Sequence, residues 1–390
     1  MSVIHRRYGG VDRFLPTAEA ADLLDLTVEI ADRELAPAVN AAEAEGRFPR
    51  EVFRTLGRAG LLGLPYSQEY GGGGQPYEVY LQVLEELARR WLAVALGVSV
   101  HVLSCYPLAT YGSPQQREKL LPDMLGGELL GAYSLSEPHA GSDAASLSTR
   151  AVRRDGEYVV NGVKAWTTHA GVADFYNLIV RTGGPGAAGI SCLLADADTP
   201  GLQPQRPERK MGLNSSPTAQ IVFDDARVPA DRLIGQEGQG FQIALSALDG
   251  GRLGIAACAV GLAQAALDEA VSYAGVRHQF GRPVASFQGM GFLLAELATQ
   301  VGAARALVLS AARLRDAGLP AGVEAAKAKL FATDVAMRVT SEAVGVLGGY
   351  GYVTDFPVER YLREAKVLQI VEGTNQIQRV VISRALTPAG

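Results

Sequence analysis

Between about Leu129 and Val228 the hydrophobic period of the sequence changes, and that change limits the fold more than any other feature. Upstream, from Thr17 to about Gly126, segments such as LLDLTVEIADREL and VFRTLGRAGLLG place apolar residues every three or four positions, the spacing of one helix face. Strand signals are sparse there. Ser113-Pro114-Gln115-Gln116 offers an N-cap hydroxyl, a proline at the first helical position and a glutamine placed to reach back, which predicts a helix starting at Pro114. In the middle stretch the runs become short and β-rich, as in EYVVNGVKAWTT, FYNLIVRT, GISCLLAD and AQIVFDD. Asp155-Gly156, Asn161-Gly162 and Thr199-Pro200-Gly201 separate them as turns. From about Gly240 onward, long Ala- and Leu-rich segments with helical spacing return, broken near Gly281-Arg282-Pro283 and Gly318-Leu319-Pro320. Helices, then an antiparallel sheet or barrel, then helices again make a segregated α+β protein, mostly α, and not an alternating βαβ sheet.

At 390 residues the chain is long enough for two or three domains with a sizeable buried core. A composition 48% hydrophobic and 20% charged is that of a folded globular protein. The net charge is -5 and no run of Lys or Arg stands out, so no nucleic-acid partner is expected. The longest apolar stretch, Leu253 to Leu267, contains Gln264 and falls short of the ~20 residues a bilayer requires, so a buried helix and no membrane insertion are expected. The N-terminal MSVIHRRYGGVDRFLP has basic residues without an apolar stretch behind them, which gives a cytoplasmic expectation. Cys105, Cys192 and Cys258 are scattered without a CxxC, as unpaired thiols would be, and no disulfide is expected.

Several familiar patterns lack their required context. Gly184-Pro185-Gly186-Ala187-Ala188-Gly189 matches GxGxxG, but the strand-like ISCLLAD follows where a dinucleotide site needs a helix N-terminus, so a loop is expected. Gly71 to Gly74 has no Lys-Ser/Thr behind it and reads as a turn. His5, His101, His139, His169 and His278 show no metal-ligand spacing, no Cys cluster accompanies them, and no GxSxG elbow occurs.

Three features stay ambiguous on residue type alone. SLSEPHAGSD, Ser134 to Asp143, is either a polar turn or a cradle for a ring edge or phosphate. Trp166 is either a core aromatic or a site residue, and Glu372, isolated in IVEGT, is either a surface loop acid or a functional carboxylate.

Taken together, SLSEPHAGSD, KAWTT (Lys164 to Thr168), LDGGR (Leu248 to Arg252), RHQFGRP (Arg277 to Pro283), GGYGYVTDFPVERYLREAK (Gly348 to Lys366) and IVEGTNQIQR (Ile370 to Arg379) resemble the acyl-CoA dehydrogenase family in order and spacing over almost the whole chain. The resemblance implies an N-terminal α-helical domain (1–127), a middle antiparallel β-barrel (128–236) and a C-terminal four-helix bundle (237–390). It also implies non-covalent FAD, removal of two hydrogens from an acyl-CoA to give a trans-2-enoyl-CoA, and electron-transfer flavoprotein as acceptor. Tyr133, Leu135 and Ser136 would lie against the isoalloxazine edge, Gly141 and Ser142 near it and near the thioester arm, Trp166 over the ring, and the Thr168 hydroxyl on N5. Arg277, Gln279, Phe280, Phe287 and Gln288 would reach the FAD of a neighbouring subunit in a homotetramer, the arginine pairing with phosphate oxygens. Many members carry a glutamine where this chain has Gly345; that contact is missing, though Gly345, Gly348 and Gly349 still permit close backbone approach. Thr374 and Gln376 would also touch FAD, and Ser142, Asp249, Arg252 and Gly373 the substrate.

Within this resemblance Glu372 is the general base that takes the pro-R α-proton. A proton beside a thioester is weakly acidic, so the base works best titrating near ambient pH, which a carboxylate reaches by burial. Ile370 and Val371 are expected to supply that apolar shelter. Some branches carry the base at the position of Gly251, which has no side chain to serve. Val94 stands where a glutaryl-specific arginine would be expected. An acyl-CoA oxidase, a dehydrogenase of carrier-protein thioesters, a flavin monooxygenase or a non-catalytic thioester-binding protein on the same fold remain alternatives.

Overall fold

The computed structural model of the protein describes residues 3–387. In chain order its elements are β1 (Ile4–Tyr8), β2 (Val11–Leu15), α1 (Ala18–Ile30), α2 (Val39–Glu45), α3 (Arg50–Arg58), α4 (Tyr77–Arg90), α5 (Leu92–Tyr111) and α6 (Pro114–Leu125). Strands β3 (Gly131–Ser134), β4 (Arg150–Arg154), β5 (Glu157–Thr168), β6 (Phe175–Arg181), β7 (Ile190–Asp196), β8 (Leu202–Pro204), β9 (Thr218–Pro229) and β10 (Leu233–Ile234) follow. The chain then returns to helix in α7 (Gly240–Val276), and after the short pair β11 (His278–Gln279) and β12 (Arg282–Pro283) continues through α8 (Gln288–Asp316), α9 (Gly322–Leu347), α10 (Val358–Leu368) and α11 (Asn375–Leu386). The described chain forms two compact units. Unit 1 holds the residues up to Val39, Gln75–Leu96 and those from Arg252 onward; unit 2 holds Asn40–Gly74 and Gly97–Gly251.

Unit 1 opens with a hairpin that the sequence does not advertise. β1 and β2 pair antiparallel from Tyr8↔Val11 to Ile4↔Leu15. Gly9 and Gly10 form the two-residue turn at φ 51 and 85, where glycine avoids a steric penalty. Val11, Arg13 and Leu15 point inward and are buried. The middle inward position is an arginine, so the strand lacks the apolar alternation that would announce it.

Arg13 meets two acids that α4 carries into the core. Its Nη1 donates to Glu85 Oε2 at 2.6 Å and its Nη2 to Glu86 Oε1 at 2.5 Å. Arg305 of α8 donates to the other Glu85 oxygen at 2.9 Å, and Arg90 Nη1 lies 2.6 Å from Glu86 Oε2. Burial alone would raise the Glu85 pKa, but Arg13 and Arg305 hold it down at about 2. A buried pair of this kind adds little net stability relative to apolar packing, yet removing one partner strands a charge. Arg13→Met is therefore expected to cost about 3–5 kcal/mol, read as a lower midpoint in urea unfolding; an unchanged midpoint would show the pairing to be energetically idle.

In unit 2 the strands form one sheet in the order β10-β7-β6-β4-β5-β9-β8, with β3 on β6. Pairing is antiparallel except for β3 on β6 and one parallel bridge of β4 to β6. β6 is buried on both faces: Tyr176, Leu178 and Val180 pack into one cluster with Tyr158 and Phe223, and Phe175 and Ile179 into another with Leu121, Leu125 and Ile243. The Ser113 capping box forms, with Gln116 N donating to Ser113 Oγ at 3.2 Å and Ser113 N to Gln116 Oε1 at 2.8 Å. The GPGAAG stretch ends in a single turn, Ala187–Gly189, that leads directly into β7.

Cys105, Cys192 and Cys258 are buried thiols. α5, α7 and α8 are each long and apolar enough to cross a membrane by length and composition; α5 and α7 bury most of that surface inside the protein, whereas α8 leaves most of it exposed. A few polar residues interrupt these helices, which is why no continuous run marks them in the sequence.

Candidate active site

Glu372 sits in the turn between α10 and α11, two helices that both pack on α9. The turn is left-handed at two successive residues, Glu372 at φ 55 and Gly373 at φ 86. For glutamate that conformation costs about 1 kcal/mol or more and persists only where its surroundings enforce it. Enforcement comes from several directions. Thr374 caps α11, its Oγ1 accepting from Ile377 N at 3.3 Å, and Asn375 N donates to Gln369 O at 2.9 Å. The Gly373 carbonyl accepts from Lys329 Nζ at 3.0 Å and from Gln378 Nε2 at 2.8 Å.

The carboxylate itself is sheltered. Glu372 Oε2 is buried without a hydrogen-bond partner. Burial pushes the Glu372 pKa up to about 7, and the charges of Arg252 on α7 and Lys329 on α9 pull against that rise. Ile370 does not supply the shelter: it is 53% exposed, because α10 ends at Leu368 and the chain turns outward before Glu372. Lys329 and Arg252 are buried beside the turn.

Unit 2 gathers a second set of expected residues. Lys164 Nζ donates to Leu135 O and to Glu137 Oε1, each at 2.9 Å, and Ala165 N donates to Ser136 O at 2.8 Å. Glu137 also accepts from Ser148 N at 2.7 Å and Thr149 N at 2.9 Å. Burial acts to raise Glu137, but Lys164 and these donors hold it at about 2; burial lowers Lys164 to about 8 against the pull of Glu137. This clamp joins the Tyr133–Ser136 strand end to KAWTT. Between Lys164 and Thr167 the β5–β9 register shifts, and Trp166 at φ 59 is swung out to 64% exposure. Thr168 and Tyr133 are half-buried nearby, and Gly141 and Ser142 are exposed.

A pair of histidines fixes the root of β3. Gly131 N donates to His101 Nδ1 at 3.0 Å, so the His101 proton is on Nε2, which donates to Met124 O at 2.9 Å. His169 Nδ1 donates to Gly131 O at 3.0 Å. Burial holds both imidazoles down at about 4, so both are neutral at ordinary pH.

The remaining residues fall elsewhere. In unit 1 Arg277 and Gln279 are exposed at the β11–β12 segment and Gln288 at the start of α8, with Phe280 93% exposed at the segment's tip, φ 52, and edge-on to Phe287 at 6.1 Å. A Cβ added to Gly345, Gly348 or Gly349 would meet no atom within 4 Å, and the same holds for Gly141. Thr374 is half-buried and Gln376 exposed. Asp249 lines a groove of about 470 Å³ in unit 2 with Ala187, Phe241, Gln242 and Leu245, a volume that suits a small-molecule arm.

Family models match in sequence the acyl-CoA dehydrogenase N-terminal domain over residues 17–128, the middle domain over 132–226 and the C-terminal domain over 238–387. The chain belongs to the acyl-CoA dehydrogenase family. It is similar to an acyl-CoA dehydrogenase of Bacillus subtilis, 44% identical over 95% of this chain and 98% of the relative. Among solved structures, butyryl-CoA dehydrogenase from Megasphaera elsdenii superposes with a TM-score of 0.94 at 42% identity, covering 96% of this chain and 99% of that one. A chain from a study of the electron transferring flavoprotein of Acidaminococcus fermentans superposes with a TM-score of 0.95 at 41% identity, covering 97% and 100%.

This acyl-CoA dehydrogenase is an oxidoreductase and a flavoprotein. Its residues fit a flavin: a large aromatic is held exposed on a strand bulge, hydroxyls stand next to it, and Gly141 leaves open space for a ring edge. Sequence reasoning missed Lys329, Gln378, His101 and His169, which brace site segments from elsewhere in the chain. Lys164→Met should leave Glu137 charged, buried and short of its cation. The expected result is a folded protein purified with well under one flavin per chain by absorbance, whereas full occupancy would show that the clamp does not shape the flavin site.

Proposed function

We propose that this enzyme desaturates a short-chain acyl-CoA between its α- and β-carbons to the trans-2-enoyl-CoA, with Glu372 as general base and FAD as the flavin. The observation that carries the reading is the buried, unpartnered Oε2 of Glu372 on a carboxyl pushed up to about 7. A base poised there is half deprotonated near neutral pH and still strong enough to accept a weakly acidic proton. Arg252 and Lys329 keep the ionised form accessible. The Glu372 backbone amide is assigned to the thioester oxygen, where charge grows as the α-proton leaves. Asp249 and Ser142 are assigned to the CoA arm, with Arg252 and Gly373 on the acyl side.

Bound FAD supplies the acceptor for the hydride that leaves the β-carbon. Trp166, Thr168, Tyr133, Leu135, Ser136 and Gly141 would hold its ring, and Thr374 and Gln376 would add contacts. Arg277, Gln279, Phe280, Phe287 and Gln288, with the glycines at 345, 348 and 349, would serve a neighbouring subunit's FAD in a homotetramer; the exposed apolar surface of α8 supports such assembly. The butyryl-CoA dehydrogenase relative supports the short chain length, and the electron transferring flavoprotein study supports that class of protein as acceptor.

Glu372→Gln keeps the shape of the side chain and removes the base. It should leave a yellow, folded protein whose turnover of butyryl-CoA falls by roughly 10²–10⁴. In the unaltered enzyme kcat/KM should drop about tenfold per pH unit on the acid side of the Glu372 pKa of about 7. Near-normal turnover by the glutamine variant would refute the assignment.

A further inference from the structure

Lys329 is a fully buried lysine on a helix face otherwise lined by small residues, with Ala325, Ala326, Ala328, Ala332 and Ala336 also buried. Packing alone does not call for an ammonium there, since burying one is costly unless it is fully partnered. Its partners fall in one short stretch of chain: Nζ donates to Gly373 O at 3.0 Å and to Asn375 Oδ1 at 2.9 Å. Asn375 is itself anchored to α9, its Nδ2 donating to Thr333 Oγ1 at 2.9 Å and to Asp334 Oδ1 at 2.8 Å.

We propose that Lys329 is a positioning residue for Glu372: its ammonium pins the left-handed turn from beneath and sets the charge that the carboxylate faces. The proposal deepens the reading of Glu372 as base and rests on it. Pinning follows from the geometry, because the carbonyl that Lys329 holds is that of Gly373, the residue immediately after Glu372 and the turn's second left-handed residue. Gln378 is a second donor to the same carbonyl, so losing the lysine loosens the turn without freeing it.

The charges around the base come from three helices. Arg252 on α7 and Lys329 on α9 both act on Glu372. Asp334 on α9 acts on Lys329 and is paired with Arg379 of α11 at 3.3 Å, while Gln369 Nε2 donates to its other oxygen at 2.7 Å. Burial lowers Lys329 to about 8, with Glu372 and Asp334 opposing and Arg252 reinforcing that shift. Near neutral pH the lysine is therefore mostly charged, and deleting that charge must raise the pKa of Glu372 and move the ascending limb of the rate profile to higher pH.

The test is anaerobic reduction of the bound flavin by butyryl-CoA between pH 5.5 and 9, in the holoenzyme and in Lys329→Gln, Lys329→Met, Lys329→Arg and Glu372→Gln. Lys329→Gln keeps a donor without charge, and should shift the limb upward by about one pH unit while keeping most of the limiting rate. Lys329→Met lacks both, and should show the same shift with a limiting rate lowered about tenfold or more. Lys329→Arg should return the limb toward that of the parent enzyme. A Lys329→Gln limb coincident with the parent's overturns the proposal, and this variant decides the matter if Lys329→Met does not fold. Glu372→Gln separates the two levels: if it abolishes reduction while the lysine variants leave the limb in place, only the role of Lys329 falls. If it reduces flavin at the parent rate, the base reading falls and takes this proposal with it.

Discussion

A carboxylate with one oxygen buried and without a hydrogen-bond partner is the constraint on which the chemistry proposed for this enzyme depends. Glu372 Oε2 is buried and unpartnered, a state that disfavours the charged form, while Arg252 and Lys329 disfavour the neutral one. The balance leaves the group near pH 7. Either influence alone would spoil it. Without the cations the acid would stay protonated at working pH, and without burial it would be too weak a base for an α-proton. The left-handed backbone at Glu372 and Gly373 adds a local conformational cost that the bonds from Lys329, Gln378 and Thr374 offset.

The same device recurs in both units. In unit 1, Arg13 and Arg305 neutralise Glu85 inside the helical core. In unit 2, Lys164 and the amides of Ser148 and Thr149 neutralise Glu137 beneath the flavin-type segments. These fully satisfied carboxylates are held at about 2 and are fixed as structural anions. Glu372 differs in having no donor on its buried oxygen, and the proposal that it exchanges a proton rests on that difference.

Much of this was legible from residue order, and the reason is local. The Ser113 capping box, the turn before β7 and the helix–strand–helix succession are encoded by neighbours a few positions apart. Trp166 and Glu372 were singled out by their company in KAWTT and IVEGT, and the structure places Trp166 exposed on a bulge and Glu372 Oε2 buried. What stayed hidden is long-range. Arg13 joins an acid 72 positions away, and Lys329 holds a carbonyl 44 positions on. β1–β2 was hidden because its inward residue is charged, and the exposure of Trp166 because a bulge breaks the strand alternation. The apolar shelter assigned to Ile370 was misplaced, since local sequence does not reveal which way a left-handed turn faces.

The most direct measurement is a titration of the Glu372 carboxyl itself in the flavin-loaded protein, by infrared difference spectra between the parent and Glu372→Gln. The carboxylate and carboxylic-acid bands that differ between the two should interconvert with a midpoint near the pKa of about 7. A midpoint in the ordinary carboxylate range would mean that the side chain is hydrated, and would contradict the account at its base.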